Sequence, residues 1–229
     1  EKGTHPGFVA GHSVGELAAL VGAGVISLDD GFRIVGVRGR AMQAAGKRRP
    51  GTMAAILGLN NSEVDALCKA VQTEGTVTPA NFNCPGQIVI SGERGAVLRA
   101  IEEAPDRGAR QAMELPVSGA FHSELMQPAV DALADVLEDI AFSPARIPVV
   151  PNVTAEPARD SDLLKRLLIQ QVVSPVRWTA SMMALVSKGV DQAVEVGPGN
   201  TLRGLMRRIN RKVSVSNAGT LEEVEGLIL

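Results

Sequence analysis

The sequence has few of the residues that build metal centres, covalent cross-links or membrane anchors. Its 229 residues include two cysteines, Cys68 and Cys84. They lie far apart and outside any metal-ligand spacing, so neither a disulfide framework nor a zinc site is expected, and both read as reduced thiols of a cytoplasmic protein. No apolar run reaches the roughly 18 residues that a membrane-spanning helix needs, and the first residues do not read as a secretory leader. With 23 basic and 25 acidic side chains the formal net charge is −2, too balanced for nucleic acid to be the main partner. Internal repeats and low-complexity tracts are missing. What is there suits a globular fold: a 45% hydrophobic, 21% charged composition can bury one full core, or a core and a small subdomain. Residues 6–10 already read as a core strand running into a functional turn, so a further N-terminal portion is expected to precede them.

Along the chain, residues 7–10 predict a short buried strand, 11–15 a turn and 16–21 a buried helix. Ser27 is placed to cap the next helix, with Asp29 and Asp30 in its first turn where the dipole favours negative charge. That helix should end near Ala45, before the basic, proline-containing stretch 47–51. The rhythm then changes. Strands at 53–57, 76–81, 87–91 and 111–115 and helices at 62–71 and 93–103 follow the order strand-helix-strand-strand-helix-strand, which is that of a ferredoxin-like split unit. This predicts a self-contained subdomain over 51–116, inserted into a larger domain made of 1–50 and 117–229. The larger part continues with a helix over 123–140, whose Leu133, Val136, Leu137 and Ile140 share one stripe. Strands at 147–150, 192–196 and 213–216 alternate with helices at 162–170, 178–187, 201–209 and 221–227. Such alternation predicts an α/β fold with a mostly parallel sheet flanked by helices.

Gly11-His12-Ser13-Val14-Gly15 has the form G-x-S-x-G between a strand and a helix, the setting of a nucleophile elbow. Glycines on both sides let the chain turn sharply and keep Cβ atoms clear of Ser13. The following helix directs free N–H groups at the site, and that of Val14 is placed to meet an oxyanion as Ser13 attacks a carbonyl. Ser13 then needs a base. Only three histidines are available: His5 in the uncertain opening, His12 beside the serine with a diverging side chain, and His122. Elimination favours His122, with His12 as a buried, hydrogen-bonded neighbour. His122 precedes the helix from Ser123, whose positive end should keep the imidazole neutral.

The helix from Leu28 carries Ile34, Val35, Ala41, Met42 and Ala45 at helical spacing, and Arg38 falls on the same stripe. A guanidinium facing inward has to meet an anion, because burying it unpaired is costly. That anion could be an internal Asp or Glu, or the carboxylate of a substrate held in a bidentate clamp.

These residues, with the stretches GHSVGELAALVGAGVISL, VRGRAMQ, ANFNCPGQIVISG, LPVSGAFHSELM, QQVVSPVRW and VEVGPGNTLRGL, resemble the malonyl-CoA:acyl carrier protein transacylases and the acyltransferase domains of fatty acid and polyketide synthases. The resemblance runs nearly end to end, with the motifs in the family's order. It implies a hydrolase-like α/β domain with a ferredoxin-like insert. In that family Ser13 looks like the acyl-carrying nucleophile, His122 like its base and Arg38 like the partner of the free malonyl carboxylate. Gln171 occupies the position whose backbone carbonyl orients the histidine in place of a triad aspartate. Val14 would supply one oxyanion N–H; the second comes, in the family, from a glutamine in a Gly-Gln-Gly turn that this sequence does not contain. Phe121 resembles the malonyl-selective version of its motif, where its bulk would crowd an α-methyl branch, though a plain packing aromatic reads equally well.

The implied reaction is ping-pong transfer of malonyl from coenzyme A to Ser13 and on to the pantetheine thiol of an acyl carrier protein, with no metal or cofactor, by a monomer that binds neither membranes nor nucleic acid. Lys47, Arg48 and Arg49, and separately Arg207, Arg208, Arg211 and Lys212, form basic clusters that could dock an acidic carrier or simply be solvated. A serine esterase or thioesterase shares the elbow but orders its triad serine, acid, histidine. A non-catalytic domain that binds coenzyme A or a carrier protein would not require all three of Ser13, His122 and Arg38. A polyketide-synthase acyltransferase is the remaining alternative.

Overall fold

In the computed structural model residues 5–227 are described; residues 1–4 and 228–229, the outer ends of the predicted large domain, lie outside them. The chain begins with strand β1 (Val9–Ala10), helices α1 (Gly15–Gly22) and α2 (Leu28–Arg48) and strand β2 (Gly51–Leu57). Ser27 caps α2, its hydroxyl accepting the Asp30 N–H at 3.1 Å, and the helix runs three residues beyond Ala45 before Pro50 stops it. Then come α3 (Asn61–Ala70), β3 (Val77–Cys84), β4 (Gln87–Glu93), α4 (Arg94–Glu103) and β5 (Gln111–Glu114). α3 opens on a capping box in which Asn60 and Glu63 satisfy each other's backbone N–H groups.

Strands β2 to β5 make one antiparallel sheet in the order β3-β4-β2-β5. Side chains alternate across it. Ala54, Ile56, Ile88 and Ile90 face one way and pack with Val64, Leu67, Val97 and Ala100 of the two helices. Met53 and Val89 face the other way and join Ala80, Leu115, Val117 and Phe121 in a second small core. Both faces are therefore covered, which is why β2 and β4 read as near-continuous apolar runs.

The chain continues with α5 (Gln127–Glu138), β6 (Val149–Val150), α6 (Ser161–Gln171), α7 (Trp178–Ser187), β7 (Gln192–Val196), α8 (Thr201–Ile209), β8 (Ser214–Ala218) and α9 (Leu221–Gly226). The ladders here are parallel, as the alternation predicts, but they form two separate pairs, β1-β6 and β7-β8, rather than one broad sheet. Leu17, Leu20, Ile34, Met42, Leu133, Leu137, Leu164 and Leu168 from α1, α2, α5 and α6 build the main core. The antiparallel sheet is tied to this part through β3, where Phe82 N–H donates to the Val176 carbonyl at 2.9 Å and Val176 N–H to Ala80 at 2.8 Å. Among the described residues no helix is long and apolar enough to cross a membrane.

Two expectations need correction. The predicted helix over 123–140 begins only at Gln127, after a short 3-10 turn at Glu124–Met126. On α2 the buried stripe runs Ile34, Arg38, Met42, Ala45, while Val35 is 40% exposed: with three and four residues per step, the inward line passes through residue 34 rather than its neighbour.

Candidate active site

β1 and β6 lie side by side and parallel, Val9 opposite Val149 and Ala10 opposite Val150. Their carboxyl ends lead to Ser13 and Asn152, the end of a parallel sheet where ligands characteristically bind. Ser13 has a left-handed backbone, φ 53°, which costs about 1–2 kcal/mol for a residue with a Cβ and marks a held conformation. The fixing is done mostly by side chains. Asn152, fully buried, accepts the Ser13 N–H on Oδ1 at 2.7 Å and donates from Nδ2 to the Gly11 carbonyl at 2.7 Å. Gln171 donates from Nε2 to the Ser13 carbonyl at 3.1 Å. The two flanking glycines are not equivalent: a Cβ on Gly11 would fall on the carbonyl of Gly15, whereas one on Gly15 would meet open space.

The Ser13 hydroxyl lies 2.7 Å from His122 Nε2. His122 Nδ1 is 3.0 Å from the Gln171 carbonyl. A carbonyl only accepts, so Nδ1 carries the ring proton, and Nε2 is left to accept the serine proton. The helix-dipole argument for a neutral imidazole does not hold, because the 3-10 turn separates His122 from α5. Burial does the work instead; the Gln171 bond opposes it, the Arg38 charge adds to it, and the net effect brings the imidazole down to about 4. Like Ser13, His122 has a left-handed backbone, φ 59°.

Arg38 is 8% exposed and points at the reacting hydroxyl, donating from Nη2 to Ser13 Oγ at 3.0 Å and to Gln171 Oε1 at 3.3 Å. Both acceptors are neutral, so the internal Asp or Glu pair is not found among the described residues; the acid whose charge acts on Arg38 is Glu16, without touching it. The guanidinium is thus held beside the elbow serine with no carboxylate bonded to it among the described residues.

Glu16 and Asn152 escaped the sequence reading. Glu16, 1% exposed, accepts the Asn152 N–H at 2.7 Å and the Gln171 Nε2–H at 2.8 Å on the same oxygen, Oε2. An acid in the first turn of a helix looks like a dipole complement; the available signal was its place beside Leu17 and Leu20 on a helix that is otherwise apolar. For Asn152 the signal was its position just after a strand parallel to β1.

Val14 is the N-cap of α1, and its amide is among the first-turn donors without an intrahelical partner. His12 is partly buried, lies 2.8 Å from Asn83 and tilts against Trp178 with ring centroids 5.5 Å apart. Phe121, partly buried, bridges the main core and the small core beneath the antiparallel sheet. The basic clusters are exposed; Arg208 reaches Gln87 at 3.1 Å and Arg49 faces Glu93 at 4.0 Å. His5 is exposed and contributes nothing to this site.

Comparison with known proteins identifies the family. The family described as acyl transferase domain matches residues 1–223. A malonyl CoA-acyl carrier protein transacylase of Bacillus subtilis is 43% identical over 226 residues, 97% of this chain and 71% of the relative. The crystal structure of an acyl-carrier-protein S-malonyltransferase from Burkholderia pseudomallei superposes with a TM-score of 0.94 at 38% identity, covering 98% of this chain and 73% of that one. A malonyl-transacylase solved in complex with a type II PKS acyl carrier protein gives a TM-score of 0.94 at 41% identity, covering 99% and 74%. With an elbow serine, a neutral histidine and an unpaired inward arginine in one α/β chain, the protein belongs to the acyl transferase domain family.

Proposed function

We propose that this chain transfers a malonyl group from malonyl-CoA to the pantetheine thiol of an acyl carrier protein, through an ester on Ser13, for fatty acid biosynthesis. The observation that carries the reading is Arg38: a guanidinium 3.0 Å from the serine oxygen and without a carboxylate partner. A malonyl group on Ser13 ends in a carboxylate two bonds beyond its acyl carbon, within reach of that guanidinium. Neutral acyl groups have no use for it, which disfavours the esterase reading.

In the first half-reaction His122 Nε2 takes the serine proton as Oγ attacks the thioester carbonyl. The C–S bond breaks, and the coenzyme A thiolate leaves with the proton from His122. In the second, the carrier's thiol gives its proton to His122, its sulfur attacks the ester, and the proton returns to Ser13. The Gln171 carbonyl holds the ring, and the Val14 N–H faces the oxyanion. Serine, base and clamp complete this chemistry without a metal or cofactor. Phe121 borders the acyl pocket and sets its preference against α-branched groups. One of the exposed basic clusters docks the acidic carrier.

The architecture is consistent with this assignment. The order β3-β4-β2-β5, with α3 and α4 on one face, supports a ferredoxin-like subdomain over 51–116. The elbow after β1 supports a hydrolase-like large domain over 1–50 and 117–229. A cytoplasmic location fits the two free, buried thiols.

The test is intact-protein mass after mixing with malonyl-CoA, for wild type, Ser13→Ala and Arg38→Ala. One malonyl adduct is expected on wild type, discharged by carrier protein and missing from Ser13→Ala. Arg38→Ala should lose malonyl loading while retaining acetyl loading. Steady release of free coenzyme A with no adduct would overturn the transferase reading.

A further inference from the structure

The mechanism leaves one buried acid idle. Glu16 is almost fully buried, yet it has no ion pair among the described residues. It is linked to Arg38 through a single amide: Gln171 Nε2 donates to Glu16 while Gln171 Oε1 accepts from Arg38. Because an ionised Glu16 can only accept, it turns the NH2 end of Gln171 toward itself and the oxygen toward Arg38. The groups facing Glu16 are few. α2 contributes Arg38, α6 and the segment after β6 contribute only the amides of Gln171 and Asn152, and His122, on which Arg38 and His12 act electrostatically, belongs to the same buried cluster. The empty site thus holds one positive and one negative buried charge, in balance.

A substrate carboxylate that docks on Arg38 brings a second negative charge into the same poorly screened space. Balance returns if one carboxylate is neutralised. The substrate's own is held by the guanidinium, so the remaining candidate is Glu16. A proton on Oε1 leaves Oε2 able to accept both of its hydrogen bonds, so the geometry survives.

We propose that Glu16 is the charge-balancing residue of this site, so that an acyl group bearing a free carboxylate is taken up together with one proton from solvent, which Glu16 receives. This rests on the role of Arg38 given above. It makes the preference for malonyl depend on a residue that never touches the acyl group. Burial already holds the Glu16 carboxyl up at about 7, so the proton is within reach near neutrality.

The experiment uses the Ser13→Ala protein, which binds without turnover, titrated with malonyl-CoA and with acetyl-CoA at about pH 6 and about pH 8. The malonyl Kd should be about tenfold weaker at the higher pH, while the acetyl Kd, which shares the coenzyme's own titrating phosphates, stays level by comparison. In the Ser13→Ala, Glu16→Gln double variant, whose amide imitates the protonated acid, the malonyl Kd should not change with pH relative to acetyl. Independently of that variant, a pH-indicator dye in weak buffer at about pH 8, where Glu16 of the empty site is ionised, should report close to one proton taken up per malonyl-CoA bound by Ser13→Ala, and much less at about pH 6. A level malonyl Kd with no proton uptake, while Arg38→Ala still selectively weakens malonyl binding, would overturn the role of Glu16 and leave the clamp standing. Loss of discrimination between malonyl and acetyl even with Arg38 intact would overturn the clamp, and this proposal with it.

Discussion

Asn152→Ala is the sharpest test of how the elbow is held. The side chain is fully buried and makes two bonds of 2.7 Å, to the Ser13 N–H and the Gly11 carbonyl. Truncation leaves both backbone groups without partners and opens a small cavity. At roughly 1–3 kcal/mol for each of the two stranded groups, the loss should be about 2–6 kcal/mol. A domain with about 5–15 kcal/mol in hand survives that, so the variant should fold with a lower denaturant midpoint. Catalysis should suffer separately. Ser13 sits at φ 53°, and with its N–H released it can relax toward a more comfortable backbone, carrying Oγ away from His122. A displacement near 1 Å costs roughly a hundredfold in rate. Rapid-quench acylation by malonyl-CoA should therefore fall by about that factor with little change in KM, measured beside urea unfolding. Asn152→Asp is the control: it keeps an acceptor for Ser13 but sets a carboxylate against the Gly11 carbonyl and near Glu16, so it too should be destabilised. An Asn152→Ala protein within about 1 kcal/mol of wild type and acylating at the wild-type rate would refute the reasoning.

Three further outcomes are expected. Gly11→Ala should fail to give folded protein, because its Cβ collides with the Gly15 carbonyl, whereas Gly15→Ala should fold; circular dichroism of the two would check this. His122 and Glu16 oppose each other in the pH dependence of stability. The His122 contribution is complete above 6.5 and is lost as pH falls toward about 4; that of Glu16 is complete below 4.5 and is lost as pH rises through about 7. Their slopes cancel over the overlap, so Glu16→Gln should expose a loss of stability on acidification of up to about 1.4 kcal/mol per pH unit. Denaturant midpoints that run parallel in wild type and variant would contradict this. Phe121→Ser should move the malonyl to methylmalonyl rate ratio toward the branched substrate, by the roughly 1–3 kcal/mol that one methyl group commands; an unchanged ratio would reduce Phe121 to a packing residue.

The site was legible wherever a polar residue broke a local pattern. Ser13 lay in a glycine turn between strand and helix, Arg38 on an apolar stripe, and His122 remained after elimination among three histidines. Element order was readable through the antiparallel unit as well, because alternation and turn residues are local signals. What stayed hidden were partnerships across the chain. Asn152 and Ser13 are 139 residues apart, and the place of Asn152 just after a strand does not by itself announce that its amide holds an elbow. Glu16 was not singled out, because the sequence carries no measure of depth for one acid at the start of a helix. The neutral state of His122 was anticipated for the wrong cause: the distance from His122 to α5 depends on a 3-10 turn that helical periodicity does not register, and burial, a tertiary property, governs instead.

The antiparallel sheet supplies none of the groups bonded to Ser13, His122 or Arg38; its nearest contribution is Asn83, bonded to His12. Serine, base and arginine thus lie in one part of the chain, while the other part reaches them only through packing: Met53, Ala80 and Val89 meet Phe121, the residue before His122. Sequence drift in that packing can shift Phe121 without touching a hydrogen bond of Ser13, His122 or Arg38. A library confined to the positions of β2, β3 and β4 that face Phe121 therefore separates packing from proton transfer.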